Sequence, residues 1–334
     1  MKPKDLAAYL FLALAWGLSF LCVVQAVAGF GWAGAVSLRA FIAGLSLLAF
    51  ARLSRRRLDF SFGLKPLVVV GATTVAGQLV FLSYGMPLIG TAMSAILVAT
   101  IPVFSMLIAR LWGVERLNAG AAAGIGLGAL GIVLLVGFPA VPVTADFVIG
   151  CAATLVSTSC AAFGSVYAGR RLKGAGTIEV TIGAFISGGL ITLPLLAVAP
   201  VPGIPGPAAI AALVMLGVVM SAATYVLYFG LINSLGPTRA ISVEFAVTAV
   251  AVLCGTLFLK EPLSAPQIAG AGVIGLGCAL VLGLIRLPGG KPIGNRAKKR
   301  AEAHSVKPPN ANPPVMMPAA AIPPAVNPPA ASNG

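Results

Sequence analysis

Charge is what this sequence has least of. Only 9% of its 334 residues are Asp, Glu, Lys or Arg, against roughly 25% in soluble domains. The single histidine is His304, and the aspartates are Asp5, Asp59 and Asp146. No nucleophile–base pair, paired carboxylates or metal-ligand cluster can be assembled from so sparse a set. The five cysteines (Cys22, Cys151, Cys160, Cys254, Cys278) all lie in apolar runs without paired spacing. They point neither to disulfides nor to a metal site, so no metal and no cofactor is expected.

Apolar side chains fill the rest. The hydrophobic fraction is 59%, above the roughly 45–50% of soluble domains, and no soluble fold hides that much. Ten apolar runs can be marked: 6–28, 32–52, 66–86, 91–111, 118–138, 147–168, 178–199, 208–232, 238–259 and 265–286. Each approaches the ~20 residues of a spanning helix. They are too long, and alternate too little, for barrel strands. The expected fold is therefore all-α and integral to the membrane, with ten transmembrane helices. The first run imitates a signal peptide but is longer than a typical apolar core of one, so it reads as the first helix.

The charges that remain set the orientation. With the N-terminus in the cytoplasm, every Lys and Arg except Arg39 and Lys260 falls on the cytoplasmic side. That asymmetry predicts a multi-pass protein of the plasma (inner) membrane with both ends inside. It also explains the net charge of +14 without nucleic acid as a partner.

The sequence repeats itself. At an offset of 146, Gly90, Glu115 and Leu117 fall on Gly236, Glu261 and Leu263, and Gly124, Gly126, Gly131 and Gly137 fall on Gly270, Gly272, Gly277 and Gly283. Five helices per half is an odd number, so the halves must be inverted relative to each other, as in alternating-access carriers. The expected division is residues 1–138, 139–287, and a Pro-rich cytoplasmic tail, 288–334, whose composition forms no core.

Ile101-Pro102-Val103-Phe104 running to Gly113-Val-Glu115-Arg-Leu117, and Leu257-Phe-Leu-Lys-Glu261-Pro-Leu263 running into Gly270-Ala-Gly272, carry a family resemblance. With Ala15-Trp16-Gly17 and Arg39-Ala-Phe they resemble the EamA domains of the drug/metabolite transporter superfamily, over about residues 5–286. The resemblance implies a carrier whose central cavity is lined by the first, third and fourth helices of each half. It also implies small-molecule cargo such as amino acids, usually exported. Where the family often has a proline matching Pro102, this chain has Thr248.

Ionisable groups inside a membrane are costly and by default functional. Two lie deep: Arg39, and Glu244, about seven residues or roughly 10 Å from the cytoplasmic side. Glu244 either binds a substrate cation or carries a coupling proton; the structural alternative is pairing with Arg239. Arg39 is either structural or meets a substrate carboxylate. Near the midplane, Trp16, Gln78, Pro102, Thr158, Tyr225 and Thr248 are the candidate substrate-binding residues, with Ser221, Tyr225 and Tyr228 on one helix face. Their alternative is back-bonding to their own helices and aromatic packing.

Gly126–Gly131 and Gly270–Gly275 both spell Gly-x-Gly-x-x-Gly, but inside apolar runs rather than after a strand, so they are not nucleotide fingerprints. Gly120, Gly124, Gly128, Gly275 and Gly283 follow a small-xxx-small spacing that suits close helix packing, within the chain or in a homodimer. The competing functions are a non-transporting membrane scaffold or regulator, and an integral membrane lipid enzyme. A scaffold would fill the midplane with packed apolar groups.

Overall fold

The computed structural model describes residues 3–112, 119–137, 142–281 and 285. Among these every regular element is helical. Six stretches are long and apolar enough to cross a bilayer: α1 (Pro3–Leu53), α2 (Leu64–Ile89), α3 (Thr91–Leu111), α5 (Ala145–Arg171), α6 (Thr177–Val198) and α7 (Pro207–Leu235). The others are α4 (Ala119–Gly137), α8 (Pro237–Ile241), α9 (Val243–Leu257) and α10 (Ala265–Val281). The chain is an all-α membrane protein. Its tail beyond residue 287, Glu115 and Gly283 lie outside the described residues.

Several boundaries differ from the expected runs. The first two runs form one assigned helix, α1, broken only where Gly31 takes φ 68° and ψ 167°. Glycine reaches that conformation without a Cβ clash, so one residue does the work of a loop. α2 does not stop at residue 86, where the third apolar run ends. Pro87 is inside the helix, and the stop is Gly90, at φ 85°. The ninth run is interrupted for one residue at Ser242, between α8 and α9. The interruption falls before Thr248, not at it.

The two halves share local irregularities. A π-helical segment, Gly71–Gly77, lies inside α2, and another, Val218–Ala223, lies inside α7. Gly90 and Gly236 end these two helices with nearly identical backbone angles, φ 85° and 84°, ψ 164° and 160°. π segments widen the helical turn and often mark functional sites.

Small residues let the helices close on each other. A Cβ built on Gly131 would lie 2.5 Å from Ile274 Cγ1, and one on Gly277 would lie 2.7 Å from both Gly124 O and Gly128 N. The α4–α10 seam therefore runs through Gly124, Gly128, Gly131 and Gly277. Gly275 is not in it: nothing lies within 4 Å of its built Cβ. Gly120 is half-buried near the start of α4. Of the spaced glycines, Gly124 and Gly128 thus meet a neighbouring helix of the same chain and Gly275 does not.

Contacts between connections gather at two ends. At one, Asp5 Oδ1 accepts from Ser234 Oγ at 3.5 Å, Arg56 Nη2 approaches Glu179 Oε1 at 3.7 Å, and Pro237 packs against Gly169. At the other, Gly31 meets Pro202, and the chain around Gly90, Thr144 and Glu261 encloses a cavity of about 360 Å³.

Candidate functional site

Six helices bring polar and aromatic groups together inside the bundle. α1 supplies Trp16, whose indole Nε1 donates to Thr224 Oγ1 of α7 at 2.9 Å. The Trp16 ring lies 5.4 Å from Tyr225 and 5.2 Å from Tyr228, both tilted. The two tyrosines are buried on one face of α7, set there by the helical repeat. Phe185 of α6 meets Tyr225 edge-on at 4.9 Å. Tilted and edge-on aromatic pairs are each worth roughly 0.5–1.5 kcal/mol beyond area burial.

Each tyrosine hydroxyl has a polar partner, as buried hydroxyls require. Tyr228 Oη and Ser165 Oγ of α5 lie 2.9 Å apart. Tyr225 Oη donates to Gln78 Oε1 and to the Thr74 carbonyl of α2, at the 3.5 Å limit of a hydrogen bond.

Glu244 of α9 is buried and, among the described residues, has no hydrogen-bond or ion-pair partner. It is close enough to act electrostatically on both Tyr225 and Tyr228. The side chain of Arg239, the partner that sequence spacing offers, lies outside the described residues. A buried carboxylate without a partner is costly.

Arg39 of α1 is buried against α7. Its Nε donates to Ser221 Oγ at 2.6 Å and its Nη2 to the Met220 carbonyl at 3.3 Å. Both acceptors belong to the π segment Val218–Ala223, and the guanidinium also acts on Tyr225. No ion pair joins Arg39 to Glu244. A buried cation and a buried anion thus both act on Tyr225.

Three candidates fall elsewhere. Thr158 donates its hydroxyl proton to Leu155 O of its own helix at 2.8 Å. Thr248 donates to Ala95 O of α3 at 3.0 Å, tying α9 to α3. Pro102 is the second residue of Ile101–Leu111, after a break in α3 at Ala99–Thr100. Counting along each run gives a depth but not a helix rotation. The sequence reading also passed over Thr224, the partner of Trp16, and Phe185. It missed Glu179, which is buried near the start of α6 with Oε2 unpartnered; its Glu-at-a-helix-start position was the available signal.

Comparison with known proteins agrees with this architecture. A solved crystal structure superposes with a TM-score of 0.60 at 20% identity, covering 84% of this chain and 99% of its own; this is a likeness of fold. An uncharacterized transporter of Archaeoglobus fulgidus is 26% identical, covering 80% of this chain and 94% of its own. The uncharacterized inner membrane transporter YedA of Escherichia coli K12 is also 26% identical, with 84% of this chain and 92% of its own covered. Protein PecM of Dickeya dadantii is 25% identical over the same shares. Residues 4–137 and 148–283 each match the EamA-like transporter family. Apolar helices on that scale and a family match in each half of the sequence identify this chain as a membrane transporter of the EamA-like transporter family.

Proposed function

We propose that the protein is an alternating-access exporter of small metabolites, amino acids or related compounds, in the plasma (inner) membrane. Ten membrane crossings form two inverted five-helix halves, 1–138 and 139–287, with both ends cytoplasmic. The matched π segments and the matched Gly90 and Gly236 angles support the repeat. Inversion follows from the odd number of crossings per half. The name of the Escherichia coli relative supports the inner membrane.

The observation that carries the reading is the cluster of Trp16, Tyr225 and Tyr228, with the buried Arg39 and Glu244 both acting on Tyr225. Packed apolar groups at this place would suit a scaffold. A polar-edged aromatic box acted on by both a buried cation and a buried anion suits a small amphoteric solute. Gln78 borders the box through Tyr225. Glu244 is the proton or cation carrier: deprotonated it holds a cationic group, and protonated it crosses the closed state at lower cost.

The test is efflux of a panel of radiolabelled amino acids and related metabolites from proteoliposomes of purified protein under an imposed pH gradient. Saturable efflux that the gradient drives supports the reading. A panel with no flux above empty liposomes, from protein shown to be folded, refutes it.

A further inference from the structure

Glu261 sits in the short connection between α9 and α10, far from the aromatic cluster in sequence, and its carboxylate is fully committed. Oε1 accepts from Thr91 N and Oε2 from Ala92 N, both at 2.7 Å, across 170 and 169 residues of chain. These are charge-assisted bonds to the first free donors of α3, where the helix dipole adds to them.

The surroundings are shaped for that carboxylate. A Cβ on Gly90 would lie 3.3 Å from Glu261 Cδ, and one on Gly255 would lie 2.8 Å from Oε2. Lys260 takes φ 54°, a conformation costly for a residue with a side chain. The Glu261 N–H is returned to Gly255 O at 3.1 Å. Two glycines and a bent backbone therefore present one carboxylate to one helix start.

The matching turn of the second half cannot be held in this way. Gly236 has the same backbone angles as Gly90, but the residue after it is Pro237 where the first half has Thr91. Proline has no N–H, so half of the donor pair is missing. Among the described residues the charged contacts at that end are long: 3.5 Å from Asp5 to Ser234 and 3.7 Å from Arg56 to Glu179.

We propose that Glu261 is a latch that keeps the end of the bundle opposite Asp5 closed, so that the resting protein opens at the Asp5 end. This rests on the alternating-access reading above. In that scheme loosening one end favours closure of the other, because both cannot be open together.

Hydrogen–deuterium exchange on the full chain in lipid nanodiscs tests this without a known substrate. Glu261→Gln replaces one acceptor by an amide donor. Thr91→Pro removes one N–H and copies what Pro237 already provides in the other half. Both should speed exchange at residues 88–93 by about tenfold, as loss of a charged hydrogen bond implies, and slow it at 233–241. Tyr9→Phe is the control from the opposite end, since Tyr9 Oη donates to Ser242 O at 2.7 Å; it should slow exchange at 88–93. If Tyr9→Phe shows the reciprocal effect and the two latch variants loosen 88–93 alone, Glu261 is a fixed helix cap and the proposal is overturned. If no variant, Tyr9→Phe included, shows a reciprocal effect, the alternating-access reading fails and the latch fails with it.

Discussion

Trp16 and Thr224 are 208 residues apart in the chain and 2.9 Å apart in the bundle, joined by the indole N–H. That bond fixes the rotation of α1 against α7 just where the π segment Val218–Ala223 ends. The orientation of the Trp16 ring over Tyr225 and Tyr228 depends on it.

Removing the bond is therefore expected to loosen the box without unfolding it. Thr224→Val keeps the shape and leaves the indole N–H without its acceptor. At roughly 0.5–1.5 kcal/mol for a net hydrogen bond, the KM for efflux should rise about 2- to 10-fold. Trp16→Phe should do the same, and the double variant should be no worse than either alone. Additive losses in a double-mutant cycle would mean that the two residues act separately.

Glu244→Gln keeps the volume and removes the ionisable group. It should abolish the pH dependence of efflux and gradient-driven accumulation, and leave slow exchange down a concentration gradient. Melting by intrinsic fluorescence in detergent should be close to wild type, because the carboxylate has no described partner to lose. A wild-type pH profile in Glu244→Gln vesicles would assign coupling to another group.

The α4–α10 seam gives a stability contrast. Gly131→Ala places a Cβ 2.5 Å from Ile274 Cγ1, whereas Gly275→Ala meets nothing within 4 Å. Overpacking of this kind costs about 1–3 kcal/mol. Gly131→Ala should lower membrane yield and the melting temperature, and Gly275→Ala should leave both unchanged. Equal losses in the two variants would mean that Gly275 faces another helix or a second copy of the chain.

The orientation can be checked with reporter fusions. Fusions after residues 60 and 174 should report cytoplasm, and fusions within 201–206 should report the outer side. A reversed signal at any one of them would break the inverted arrangement, since each crossing fixes the next.

Composition and periodicity alone made the chain an all-α membrane protein, because apolar runs of this length have no other stable state in lipid. The duplication was also legible, through glycines whose spacing the two halves share. Glu244 stood out because a lone acid in an apolar run is visible without a structure. What sequence could not supply was rotation about each helix axis. A 100° step per residue means that depth is read by counting, while facing depends on which neighbour a helix packs against. Trp16, Gln78 and Tyr225 turned towards one another, whereas Thr158 and Thr248 spent their hydroxyls on the Leu155 and Ala95 carbonyls. The same holds for Glu261: its place at a helix end was plain from sequence, but its seat on the Thr91 and Ala92 N–H groups is a contact between segments 170 residues apart, which only packing could create.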